Sequence, residues 1–149
     1  MPDSVKQFST SRIRVVAGAV LQGQQVLAAR RARGGPGGDL WELPGGKVHR
    51  GESDEAALIR ELQEELGITV EVQGSLGISE FDYPEISIRL IGLCCCLADD
   101  PLREPEAREH QELRWIEAED LYGLDWAPAD LPLIGALEPI LRAAASPRR

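Results

Sequence analysis

Residues 60–65, Arg-Glu-Leu-Gln-Glu-Glu, bring three carboxylates into little more than one helical turn. At about 100° per residue, Glu64 and Glu65 fall on either side of Glu61, within a sector of roughly 100°. Like charges at that spacing repel and weaken an isolated helix. The cluster makes physical sense when a cation sits against it. Oxygen ligands without Cys or His beside them favour a hard ion such as Mg²⁺, with Mn²⁺ as a substitute. The same pattern also describes a solvated, glutamate-rich amphipathic helix, so the flanking residues must decide between the two.

Those flanks define a helix with two working faces. Ser53 is a good N-cap, Asp54 and Glu55 follow in the first turn where the helix dipole favours negative charge, and Gly67 suits the left-handed exit. Leu58, Ile59, Leu62 and Leu66 fall beside the acidic sector rather than opposite it. One face therefore anchors the helix in a core, and the neighbouring face carries carboxylates to the edge of a cleft. The preceding Gly45-Gly46 pair lets the backbone approach a ligand closely.

The segment resembles the Nudix box. Gly46, Glu52, Arg60, Glu61, Leu62, Glu64, Glu65, Gly67 and Ile68 fill each fixed place of that pattern over residues 46–68. The likeness continues outside the box. Trp41-Glu42-Leu43-Pro44-Gly45-Gly46-Lys47-Val48 is similar to the entry of MutT-type nucleoside triphosphate pyrophosphohydrolases. Glu109-His110-Gln111 followed by Trp115, and the stretch from Trp126 to Leu133, resemble the later parts of the MutT and CTP-pyrophosphohydrolase branch.

This resemblance implies Mg²⁺-dependent hydrolysis of a (deoxy)nucleoside triphosphate to monophosphate and pyrophosphate, clearing oxidised or modified nucleotides of the 8-oxo-dGTP or CTP type. It assigns the metal to Glu61, Glu64 and Glu65 with the Gly45 carbonyl. Glu109 completes that set or acts as base, in competition with Glu61. Arg60 is expected to orient Glu64 or Glu65, and Glu52 to brace the box loop. Arg31 matches a substrate-contacting arginine, and Lys47 touches phosphate or pairs with a box glutamate. Tyr83 and Trp126 either stack on a base or pack in the core. Asp130 stands where MutT carries Asn: ionised it only accepts hydrogen bonds, protonated it also donates, and it is equally placed to cap the last helix. The alternatives are another nucleoside diphosphate derivative (a dinucleoside polyphosphate, a pterin triphosphate, a nucleotide sugar) or a nucleotide sensor without turnover.

The rest of the chain must position these groups. A length of 149 residues, 43% hydrophobic, suits one core rather than two. The expected organisation is a single domain over residues 12–145, with flexible ends at 1–11 and 146–149. Strands are expected at residues 13–21 and 25–29 around a tight turn, at 40–43, at 69–81 with interruptions at Gly74 and Gly77, at 86–98 and at 111–116. A brief helix over 118–122 and a terminal helix over 131–144 complete an α+β chain, a mixed sheet between helices. The resemblance implies the same α/β/α sandwich. Gly34-Gly35-Pro36-Gly37-Gly38 reads as a mobile loop, and Cys94, Cys95 and Cys96 as reduced packing residues, because neighbours on a strand face opposite ways.

A net charge of −9 argues against a nucleic-acid polymer or an anionic membrane as partner. No apolar stretch reaches membrane-spanning length, and the first residues lack the apolar core of a signal peptide. The reading is a cytoplasmic monomer or homodimer that takes a small nucleotide.

Overall fold

The computed structural model describes residues 12–145. The two ends set apart in the sequence, 1–11 and 146–149, lie outside the described residues. Strands β1 (Ile13–Gln22), β2 (Gln25–Arg30), β3 (Trp41–Glu42) and β4 (Gly45–Lys47) precede helix α1 (Asp54–Leu66). Strands β5 (Val70–Asp82), β6 (Ser87–Leu97) and β7 (Glu112–Ile116) follow, then two 3₁₀ turns (Ala118–Gly123 and Pro128–Asp130) and helix α2 (Leu131–Ala145).

The strands form one mixed sheet in the order β3-β2-β1-β6-β5, with β4 added to β1 and β7 to β2. β1 and β6 run parallel, from Ile13 opposite Ile88 to Val20 opposite Cys95. The other edge of β1 is forked. Its last residues, Leu21 and Gln22, pair with β2, whereas Val15, Val16 and Ala17 pair with β4. The chain between β3 and β4 leaves the sheet inside this fork, held by Gly18 N–H donating to the Pro44 carbonyl at 2.8 Å.

Alternation along β1 sorts its side chains between the two faces. Val16 and Val20 pack with Leu58, Leu62 and Leu66 of α1, and Gly18 leaves the space that the Leu58 and Leu62 methyls fill. Ala17 and Ala19 face Leu133, Leu137 and Leu141 of α2. Each of these fully buried leucines contributes on the order of 2 kcal/mol of transfer free energy. The expected sandwich of helix, sheet and helix is therefore the observed one. Ile59, expected on the anchoring face, is instead 38% exposed. The buried stripe is Leu58, Leu62 and Leu66, an i, i+4, i+8 row with Ala57 beside it, and it leaves Ile59 at its margin.

Both ends of α1 follow the local sequence. Ser53 Oγ accepts the Ala56 N–H at 3.1 Å. Gly67 adopts φ 68°, and its N–H donates to the Gln63 carbonyl at 3.1 Å. Register shifts at Val72/Gly74 and Ser75/Gly77 fall at the two glycines expected to interrupt β5. The short helix expected over 118–122 is a 3₁₀ turn. Cys94, Cys95 and Cys96 are free thiols. Cys94 packs toward the α2 side, while Cys95 is fully buried against the α1 side.

Candidate active site

β4 is built without side chains where it meets its neighbours. A Cβ on Gly45 would overlap the Val16 carbonyl, and one on Gly46 would overlap the Glu61 carboxylate. The Glu61 carboxylate thus rests directly on the backbone of Gly46, and the side chain is only 12% exposed.

Arg60 fixes that carboxylate from the other side. Its Nε and Nη2 donate to the two oxygens of Glu52 at 2.6 and 2.9 Å, and Nη2 also donates to the Lys47 carbonyl at 3.1 Å. Nη1 donates to Glu61 at 3.0 Å and to Glu64 at 3.3 Å. The forked guanidinium therefore ties the box loop, β4 and α1 together. The Arg60 guanidinium, helped by the His49 N–H, depresses the Glu52 pKa to about 2, and the pairing raises that of Arg60 in turn. Glu52 braces the loop. Arg60 reaches Glu61 and Glu64, and its hydrogen bonds do not include Glu65.

The three box glutamates differ in their surroundings. Glu61 and Glu65, four residues apart, lie together. Glu64 turns toward solvent with Arg60, its side chain 58% exposed. Glu61 occupies the space over Gly46, and the Arg60 guanidinium holds Glu64 on the solvent side. Among the described residues, no group of three or more Asp, Glu, His or Cys side chains is arranged to hold a metal ion.

Glu65 carries the strongest electrostatic strain in the cluster. Burial, followed by the hydrogen bond and charge of Glu61 and then the charges of Glu109 and Glu42, pushes its pKa up to about 9. Its Oε1 is buried without a hydrogen-bond partner. An orphaned acidic oxygen among like charges is a place that a cation would stabilise.

Glu65, Gly45, Gly46 and Lys47 line a cavity of about 610 Å³. Arg31, Glu42, Leu43, Tyr83, Ala129 and Asp130 are among the other residues lining it. The volume suits a nucleoside-sized ligand. The Asp130 carboxylate is buried and accepts the Leu43 N–H at 2.9 Å. Burial pushes its pKa up to about 7; the Leu43 N–H opposes the shift, Glu42 adds to it and Arg31 reduces it. Tyr83 packs on Phe81 with ring centroids 4.6 Å apart, and its hydroxyl accepts the Ala129 N–H at 3.1 Å.

Of the three arginines before the glycine-rich loop, only Arg31 reaches the cavity. It lies over Gly37, with Nε 3.5 Å from Glu42. Arg30 stacks on Trp41, and Arg33 pairs with Asp39. The loop itself is bonded: Gly38 N–H donates to the Gly35 carbonyl at 2.9 Å, and Asp39 N–H to the Arg31 carbonyl at 3.2 Å. Trp126 is a core residue, 4% exposed, and its Nε1 donates to the Leu121 carbonyl.

Residues 12–136 match the NUDIX domain family. The chain belongs to that family. Over 133 residues this Nudix chain is 40% identical to a "Putative 8-oxo-dGTP diphosphatase 2" of Mycobacterium tuberculosis, covering 89% of this chain and 92% of the relative. It is 39% identical over 132 residues to the CTP pyrophosphohydrolase of Escherichia coli, covering 89% of this chain and 95% of that one. The solved structure of the E. coli ORF135 protein superposes with a TM-score of 0.75 at 34% identity, covering 94% of this chain and 98% of that one. The protein is a Nudix hydrolase. Nudix hydrolases generally use a divalent metal and act on small nucleotides, and the orphaned Glu65 oxygen and crowded carboxylates of this site fit such an ion. No helix of the described residues is long and apolar enough to cross a membrane.

Two residues of this Nudix site escape sequence reasoning from spacing alone. Glu42 projects from β3 into the cavity and bears on both Glu65 and Asp130. His110 donates to or accepts from it, with Nε2 2.8 Å from Glu42 Oε2. The available signal was the alternation Trp41-in, Glu42-out, Leu43-in. Which strand Glu42 would face depended on long-range pairing.

Proposed function

We propose that this Nudix hydrolase converts an oxidised or modified (deoxy)nucleoside triphosphate to its monophosphate and pyrophosphate, with residues 12–145 as the catalytic unit and Mg²⁺ as the ion. The observation that carries this reading is a single cavity. Glu65, Gly45 and Lys47 line it together with Asp130, Tyr83 and Arg31. Groups suited to phosphate and groups suited to a base thus share one space. Relatives named 8-oxo-dGTP diphosphatase and CTP pyrophosphohydrolase support the same substrate class.

Glu61, Glu65 and the Gly45 carbonyl would hold the ion, with Glu109 facing them and Glu64 acting through Arg60. Once bound, the ion neutralises triphosphate charge and acidifies an attacking water. Arg31 and Lys47 bind phosphate oxygens. Glu61 accepts the proton of the water as it attacks phosphorus, a P–O bond of the triphosphate breaks, and pyrophosphate departs. Glu109 is the competing base. Asp130, whose pKa burial pushes up to about 7, supports two modes of base reading. Its acid form donates and accepts, as an oxidised guanine requires; its carboxylate accepts from a cytosine amino group.

The test is a panel of natural and oxidised nucleoside triphosphates, dinucleoside polyphosphates and nucleotide sugars, assayed with and without Mg²⁺ or Mn²⁺ and with product identification. Monophosphate plus pyrophosphate from a triphosphate is the expected result. Turnover of only the other classes, or binding without turnover, overturns the proposal.

A further inference from the structure

The loop between β6 and β7 carries Glu109, and the residues on either side of it are tied to two different carboxylate-bearing elements. On one side, Arg108 Nη1 donates to the Gln63 and Glu64 carbonyls at 3.2 and 3.1 Å. These are among the last carbonyls of α1, a helix with no basic residue in its own final turn. The guanidinium supplies the missing positive charge at that end. Gly67 makes the approach possible, because a Cβ there would come 2.7 Å from Arg108 Nη2. Glu106 reinforces the attachment: its N–H donates to the Leu66 carbonyl at 2.9 Å, and its carboxylate holds Arg108 at 2.9 Å.

On the other side, His110 is buried to 6% exposure with Nε2 on Glu42 of β3. Its Nδ1 is buried and unpartnered, so the ring is seated by the one bond to Glu42. Gln111 extends the attachment, its N–H donating to the Arg30 carbonyl at 3.0 Å and its Nε2 to the Arg31 carbonyl at 2.9 Å. Glu109 itself is exposed, yet it stands near enough to act on Glu65.

We propose that Arg108 and His110 are positioning residues which clamp Glu109 between the C-terminal end of α1 and β3, and so set turnover rather than substrate affinity. The inference rests on the proposed role of Glu109 at the site. One anchor fastens Glu109 to the helix that carries Glu61 and Glu65. The other fastens it to the strand that carries Glu42 and, through Glu42, to Arg31. A flexible loop carboxylate would otherwise sample many placements, and misplacement of a working group by about 1 Å can cost on the order of a hundredfold in rate.

The test uses Arg108→Met and His110→Phe, each beside a conservative partner that keeps a donor, Arg108→Lys and His110→Gln. Glu109→Gln is made alone and combined with Arg108→Met. The expected result for the disruptive variants is a roughly ten- to hundredfold fall in kcat with KM within about twofold, partly restored in the conservative ones. In the metal-free protein, amide exchange should quicken at Glu106 and Arg108 in Arg108→Met and at Gln111 in His110→Phe. Adding Arg108→Met to Glu109→Gln should cost little more than Glu109→Gln alone. Full additivity, or a fall in melting temperature with kcat unchanged per folded molecule, overturns the clamp. Unimpaired turnover in Glu109→Gln overturns instead the role of Glu109, and the clamp with it.

Discussion

The Asp130 carboxylate accepts the backbone N–H of Leu43 at 2.9 Å, joining the turn that starts α2 to the segment between β3 and β4. Leu43 lies two residues before Gly45, so the buried Asp130 carboxylate and the backbone beneath the box helix are joined through one short segment. This bond keeps a 5% exposed carboxylate partly satisfied while leaving its proton affinity high.

Asp130→Asn keeps an oxygen for the Leu43 N–H but removes the titration. The folded pKa of about 7 lies above the ordinary 3.8. Stability linked to the protonated form is therefore full below the unfolded value and lost as pH rises through 7. The melting temperature of Asp130→Asn relative to the parent should climb between pH 4 and 7 and level off above. Its preference among bases should change more than its metal requirement, which a substrate panel at pH 6 and pH 8 measures.

The split between the box glutamates ranks their substitutions. Glu61→Gln and Glu65→Gln should each lower kcat by at least about a hundredfold with the melting temperature held within a few degrees. Glu64→Gln should cost less, because that side chain faces solvent with Arg60. Steady-state kinetics of the three variants at saturating Mg²⁺ settles the order; a Glu64 effect equal to that of Glu65 refutes this arrangement.

The glycines of β4 should fail in different ways. Gly45→Ala forces a side chain into the Val16 carbonyl within the β1–β4 pairing, and soluble folded protein should be lost. Gly46→Ala meets only a side-chain carboxylate, so the protein should fold while Glu61 is displaced and turnover collapses. Circular dichroism separates the two outcomes.

Glu52 holds its charge through Arg60, with a pKa lowered to about 2. A depressed carboxylate contributes stability above its ordinary value, near 4.5, and loses it as pH falls toward 2. The melting-temperature gap between parent and Glu52→Gln should thus be constant above pH 5 and vanish on acidification. At neutral pH the variant should also lose turnover, since Arg60 no longer fixes Glu61.

Much of this was legible because the signals are local. Ser53, Gly67, the leucine row and the glycine pair each act within a few residues, and α1 begins and ends where they require. The solvent-side placement of Glu64 was not legible because the wheel counts angles and ignores the guanidinium at position 60. Glu42, His110 and Arg108 were not assigned roles because their partners lie 68, 68 and 44 or 45 residues away. Trp126 was left open between stacking and core; its burial among the residues of the α2 side settles it as core.

The fork in β1 has a mechanical consequence. Because the same strand lends hydrogen bonds to β4 on one stretch and to β2 on the next, the glycines under Glu61 ride on the centre of the sheet rather than on an appended loop. A nucleotide seated there would bind the folded domain through its central sheet. Its affinity should therefore reappear as heat resistance of the whole domain, in proportion to the logarithm of its concentration.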